Sequence, residues 1–309
     1  MNTPVSASMR PPAKDGVGGI GGRADANELP TGGAADGIGP KLAFGSPRFG
    51  SINVLGVWTL YQKEVRRFLK VAFQTVVAPV ISTLLFLFVF MQAFGANRGP
   101  IAGVPYIEFL APGLIMMAIL TNGFANSSSS LIISKVQGSI VDVLTPPLSP
   151  FELTVAFVMG AATRGLLVGI VTAVTSALFM ATTSTPMGIA SMPIIAYFAV
   201  SAALMFSMLG VIAGIWAEKF DQLSAVTNFI ITPLTFLSGT FYAVRSLPDA
   251  FVAFSRANPV FYLIDGFRSG FTGNAEASVL TGIAVTLVVN IVLAYTCYSL
   301  FKSGWRLKS

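Results

Sequence analysis

The chain has 309 residues, of which 54% are hydrophobic and only 10% charged, against about 25% charged in a soluble domain. With a mean hydropathy of +0.75, this composition excludes a water-soluble enzyme and points to an integral membrane protein of several spans. The net charge of +6 has no basic stripe on a soluble fold to serve, so nucleic acid is excluded as a partner and the surplus reads as Lys and Arg flanking spans.

Residues 1–51 are rich in Gly, Ala, Pro and Asp and lack both apolar periodicity and a signal-peptide core. They predict a disordered tail. Gly16, Gly18 and Gly21 match a dinucleotide fingerprint in letters only, with no strand before them and no helix after. Residues 52–309 hold everything else. Val54, Val57, Trp58, Tyr61, Val65, Phe68 and Leu69 recur at helical spacing, and Lys63, Glu64, Arg66, Arg67 and Lys70 fall mostly on the opposite face. This predicts an amphipathic helix lying in the membrane interface; the competing reading is a polar approach to the first span.

Six apolar runs follow, over 71–94, 106–128, within 153–181, 193–215, 223–241 and 279–301, each near the ~20 residues that a bilayer requires. The fold class is therefore all-α, a six-span polytopic membrane protein. If the N-terminus is inside, the inner flanks hold Lys63, Arg66, Arg67, Lys70, Lys135, Lys219, Lys302, Arg306 and Lys308. The outer flanks hold only Arg98, Arg245, Arg256 and Arg268. The bias predicts that both termini are cytoplasmic.

Between the fifth and sixth runs lies an aromatic stretch containing Phe241, Tyr242, Leu247, Pro248, Asn258, Pro259 and Tyr262. It also carries Arg245, Asp249, Arg256, Asp265 and Arg268. At ~3 kcal/mol per charge near the bilayer centre, spanning would cost on the order of 15 kcal/mol. Two placements remain: short helices at the outer surface, or a re-entrant pair buried against protein.

The loop after the second run reads Lys135 to Glu152. Ile140, Val143 and Leu144 share one face of a short helix that Pro146 and Pro147 stop. Ser149, Pro150 and Glu152 then form a capping box opening the next helix. Such a bounded knob suits docking on a soluble partner; a structured loop without a partner is the other reading.

Energy coupling is read from what the sequence lacks. No Walker motif is present. Ion-coupled carriers use ionisable groups within their spans, and here they are almost absent; an ion-coupled secondary transporter is the runner-up reading. Arg164 lies about 21 Å into the third span's helix and reads either as an anchor snorkelling to the inner interface or as a substrate contact. Gly165 with Gly169, and Gly210 with Gly214, permit close helix approach within the subunit or across a dimer. With no histidine and the single Cys297 inside an apolar run, neither a metal site nor a catalytic triad is expected. The sequon at Asn126 and the S-x-x-K match at Ser299 are coincidental.

Taken in order, several stretches resemble the type-2 ABC transporter permeases. They are Tyr61–Glu64 and Arg67-Phe68; Phe109–Leu114; Gly138–Leu144; Phe220–Gln222; Pro233–Gly239; Leu247-Pro248; Asn258-Pro259; and Asp265–Arg268. The resemblance covers about residues 61–273 and leaves out the tail. It implies an exporter permease of the bacterial inner membrane, moving an amphipathic substrate such as a glycan, lipid-linked sugar or drug. It implies a homodimer of permeases working with two separate ATPase subunits, which hold the ATP and Mg; this chain itself holds no cofactor and is not an enzyme. Carried over, Gly138, Ser139, Ile140, Val141, Asp142, Val143 and Leu144 dock on the ATPase. Trp58, Tyr61, Glu64, Arg66, Arg67 and Lys70 belong to the interface or gating helix. Phe241, Tyr242, Leu247, Pro248, Asn258, Pro259, Tyr262 and Arg268 belong to an outer gate.

Overall fold

The computed structural model describes residues 53–94, 99–101, 103–183 and 186–307. The expected tail 1–51, with Gly16, Gly18 and Gly21, lies outside the described residues, as do Arg98 and Lys308. The described elements belong to one compact unit, Phe49–Ser309, and among the described residues there is no strand.

Among the described residues, five helices are long and apolar enough to cross a membrane: α2 (Ala72–Phe94), α3 (Tyr106–Val136), α5 (Pro150–Ala181), α6 (Met192–Trp216) and α11 (Val279–Ser303). They are preceded by α1 (Val54–Leu69), and the five-residue α4 (Ile140–Leu144) joins α3 to α5. The expected fifth run divides into α7 (Phe220–Val226), a π-helical turn (Thr227–Ile231) and α8 (Thr232–Phe236), pieces of seven, five and five residues. At 1.5 Å per residue the three rise about 25 Å, at the lower limit for spanning. The slip into π register has local causes. Pro233 has no N–H to return to the preceding turn, and the Thr232 hydroxyl donates five residues back to the Thr227 carbonyl at 2.9 Å. The helix stops short of residue 241 because the chain turns at Gly239, whose φ of +81° suits glycine.

The centre is α3, packed between α5 and α6 and buried along most of its length. Small residues make this possible. A methyl at Gly165 would lie 2.9 Å from the Ile119 carbonyl oxygen, and one at Gly214 would lie 2.9 Å from Leu131 Cβ. Gly169 faces Ile119 and Gly210 faces Phe124 and Ser127 in the same way. Both glycine pairs therefore serve close approach to α3 within the subunit, which decides between the two readings of those motifs. Without a water-driven hydrophobic effect between spans, such close packing and interhelical hydrogen bonds hold the bundle. The Ser127 hydroxyl donates to the Ser207 carbonyl at 2.8 Å, and the Asn290 amide donates to Ser201 Oγ at 2.8 Å.

With 31 and 32 residues, α3 and α5 are about 46–48 Å long, well beyond a ~30 Å hydrocarbon core. Here α3 runs eight residues past the expected end of the second apolar run, and α5 begins at its capping box. The excess on α3 lies at the end where α4 follows it.

Candidate functional site: three stations along one helix

At the C-terminal end of α3, Lys135 is the first fixed point. Its ammonium donates to the Ile215 and Ala217 carbonyls, satisfying the otherwise open carbonyl end of α6. Gly138 then takes a φ of +70° and the chain turns into α4. Ile140 and Val143 are buried in a cluster with Leu60, Leu153 and Phe157, while Val141 and Asp142 are exposed. Leu144 is half-buried, so the apolar face predicted for Ile140, Val143 and Leu144 holds α4 to its own subunit. Ser139 precedes the helix without capping it through its side chain. The following capping box forms as expected: Ser149 Oγ accepts from the Glu152 N–H at 3.3 Å, and the Glu152 carboxylate accepts from the Ser149 N–H at 2.6 Å. Glu152 also accepts the Asn53 N–H, tying the start of α1 to the start of α5. A cleft of about 380 Å³ between α1 and α4 is lined by Asn53, Leu60, Lys63, Asp142 and Pro147.

Further along α3, α1 is clamped into the bundle. Its packing face is Leu60, Glu64 and Phe68. The expectation that Glu64 and Arg67 sit on a solvated face is corrected here. Glu64 is 1% exposed and accepts from Ser130 Oγ at 2.8 Å and from Arg67 at 3.2 Å. Arg67 also donates to the Asn126 carbonyl at 2.7 Å and Asn126 Oδ1 at 3.0 Å. Gly160 of α5 admits this arrangement, since a methyl there would lie 2.6 Å from Glu64 Cβ. Tyr61 OH lies 3.1 Å from Thr163 Oγ1. Arg66, Lys70 and Trp58 are exposed, and Trp58 stacks on Tyr61. The opposite face of α1 presents Val54, Leu55, Trp58 and Leu69 to the surroundings, in keeping with a helix in a membrane interface. One turn away, Arg164 donates to Asn122 Oδ1 at 3.3 Å.

At the N-terminal end of α3 lies the aromatic segment, folded as a 3₁₀ turn (Val244–Ser246), α9 (Asp249–Ala257) and α10 (Pro259–Thr272). The segment divides between the two placements: Arg245, Asp249 and Arg256 stay exposed on and before α9, while α10 is buried against protein, packing on α6, α3 and α11, with Asp265 and Arg268 each 3% exposed. Both charges are satisfied. Arg268 donates to the Phe109 carbonyl at 3.1 Å and the Gly239 carbonyl at 2.7 Å, and its guanidinium lies 3.7 Å over the Phe109 ring. Asp265 accepts from the Glu276 and Ala277 N–H groups at 2.9–3.0 Å, and the Glu276 carboxylate accepts from Val244 and Arg245. Asn258 caps α10 through Val260, with Pro259 in its first turn, and its amide reaches Ser238 Oγ at 2.7 Å. Phe241 stacks with Phe90 and Phe236. Tyr242, Leu247 and Tyr262 are half-buried and Pro248 is exposed at the head of α9; burial raises the Tyr242 phenol above its ordinary range. The expected coupling, interface-helix and outer-gate residues thus lie at separate levels of α3; Asp142 and Val143 line the α1–α4 cleft opposite Leu60 and Lys63 of α1, and none of the expected interface-helix residues does.

Sequence reasoning missed Asn126, Ser130, Lys135 and Glu152 as connectors. The available signal was the run of Asn and Ser within an otherwise apolar α3, which needs partners in a membrane.

This arrangement of long apolar helices with a clamped α1 and a short α4 is that of an all-α polytopic membrane protein. The profile of the ABC-2 type transporter family matches residues 56–272. The chain is 36% identical over 251 residues to the inner membrane transport permease YadH of Escherichia coli K12, covering 81% of this chain and 96% of that one. It is 26% identical over 245 residues to nodulation protein J of Rhizobium leguminosarum bv. viciae, covering 79% and 91%. The chain belongs to the ABC-2 type transporter family. It is a multi-pass inner-membrane transport permease, the membrane subunit of an ABC exporter.

Proposed function

We propose that this permease carries an amphipathic substrate outward, powered by a separate ATPase subunit that binds ATP and Mg and docks on α4. The observation that carries this reading is the two-sided character of α4. Ile140 and Val143 are rooted in the permease, while Val141 and Asp142 are turned away from it. A push on the exposed face has a stiff route inward, through α3 and α5 to the Glu64–Arg67–Asn126 clamp on α1.

In this reading both termini are cytoplasmic, the α4 end is the inner one, and α7–α8 provides a sixth span. A second copy completes the path. Trp58, Tyr61, Glu64, Arg66, Arg67 and Lys70 act in the gating helix, and the segment from Phe241 to Arg268 closes the outer end. Residues 1–51 form a tail outside the transport domain at 52–309. The test reconstitutes the permease with its ATPase in vesicles. Transport that survives collapse of the proton gradient while ATP is clamped supports this reading; transport that stops under those conditions points instead to an ion-coupled carrier.

A further inference from the structure

Between the α1 clamp and Arg164 the bundle carries more positive charge and more hydrogen-bond donors than it can satisfy. Arg67 and Arg164 repel one another, and Glu64 bonds only the first of them. Among the described residues Arg164 is in no ion pair. Its single hydrogen bond goes to Asn122, and its buried Nε has no protein acceptor. Asn126 Nδ2 is likewise buried without a protein acceptor. That assignment is firm on chemical grounds: arginine can only donate, so the Asn126 atom that it contacts is oxygen and the free atom is the amide nitrogen. Both orphaned groups are donors, and the local charge of two guanidiniums against one carboxylate is positive. Water would satisfy the donors and leave the charge; an anionic oxygen answers both.

The surroundings add an apolar arm. A cleft of about 260 Å³ between α2 and α3 is lined by Ala78, Pro79, Phe86, Leu114, Met117 and Thr121, among others. Along α3 the same stripe continues at four-residue spacing through Ala125 to Ser129, and Ser129 Oγ accepts from Arg67 at 3.4 Å. Thr121 to Ser129 rises about 12 Å, so the cleft and the cationic cluster lie two turns apart along the same stripe of α3.

We propose that Arg164, Arg67 and Asn126 bind the phosphate or carboxylate head of an anionic amphiphile whose chain lies in the α2–α3 cleft. This deepens the export reading by naming the substrate's charge, and rests on it for the direction of travel only. A binding assay without the ATPase keeps the two separate, since absent binding leaves ATP-driven transport untouched.

The full chain in phosphatidylcholine nanodiscs is titrated with dodecyl phosphate and with uncharged dodecyl maltoside, and binding is followed as a rise in Tm. The phosphate should bind about tenfold more tightly, as expected for charge-assisted hydrogen bonds. Arg164→Lys should keep part of that preference and Arg164→Gln lose it. Asn126→Asp supplies an internal anion of the same shape, so it should hold or raise the unliganded Tm while abolishing the preference. A merely structural role for this cluster does not give that combination. Equal binding of the two probes to the wild type overturns the proposal, as does an undiminished phosphate preference in Asn126→Asp. Repeating the titration with phosphatidylglycerol in the disc identifies the source of the head group: competition assigns the site to a bilayer lipid, and its lack assigns it to a transported amphiphile.

Discussion

Glu64 of α1 and Ser130 of α3 are joined by a 2.8 Å hydrogen bond in the buried part of the bundle, and Arg67 is held against the same carboxylate. A helix that composition places in the membrane interface is thereby fixed to the helix that leads directly into α4. Removing one member of a buried pair leaves the other charge without compensation, which costs about 3–5 kcal/mol. Glu64→Ala should lower the unfolding temperature of the full chain markedly. The double variant Glu64→Gln with Arg67→Gln should recover part of that loss, which a double-mutant cycle in thermal unfolding reads directly.

Gly160 gives a steric test of the same contact. A methyl there would meet Glu64 Cβ at 2.6 Å, so Gly160→Ala should displace α1 and cost about 1–3 kcal/mol. Gly138, where nothing lies within 4 Å of an added methyl, is the contrast. Its positive φ makes Gly138→Ala a smaller backbone effect, about 1 kcal/mol. Thermal unfolding of the two variants should rank them in that order.

Arg268 tests the opposite end. Its two carbonyl acceptors and the Phe109 ring use the planar guanidinium as a fork and a stacking surface, for which lysine is a poor substitute. Arg268→Lys should cost about 1.5–3 kcal/mol, the worth of charge-assisted hydrogen bonds. Arg268→Ala should be worse, because it removes both donors and the cation over the Phe109 ring at once. Protease sensitivity of the loop around Gly239 measures the local loosening.

How much of this was legible in the sequence follows from what periodicity can see. Apolar runs located α2, α3, α5, α6 and α11, and Ser149 with Glu152 located the start of α5, because these are local signals. The division of α7 from α8 was not visible as a break in hydropathy; it comes from Thr232 and Pro233 acting on the hydrogen-bond ladder. Charge counting argued against one long span over Phe241 to Phe271, and the segment folds as helices of nine and fourteen residues. It could not tell surface from interior, because the partners that satisfy Arg268 are backbone carbonyls distant in sequence. Glu64 was misplaced for a related reason: amphipathic patterning assigns a charged residue to solvent, and only tertiary packing supplied Ser130, Arg67 and the space at Gly160. The candidate coupling residues were found by their turn chemistry, yet which of them face outward required the fold.

The two faces of α4 allow its proposed docking role to be tested apart from folding. Val143→Asp places a charge in the cluster with Leu153 and Phe157, which should destabilise the chain by several kcal/mol. Val141→Glu and Asp142→Arg lie on the exposed face and should leave unfolding within about 0.5 kcal/mol of wild type.

The most direct test of the account is ATP hydrolysis by the partner subunit, measured together with transport, in vesicles containing the wild-type permease or the Val141→Glu, Asp142→Arg double variant. The account predicts that transport per ATP falls about tenfold, equivalent to about 1.4 kcal/mol of coupling, with Tm unchanged. Wild-type transport per ATP in the double variant would contradict a docking role for α4.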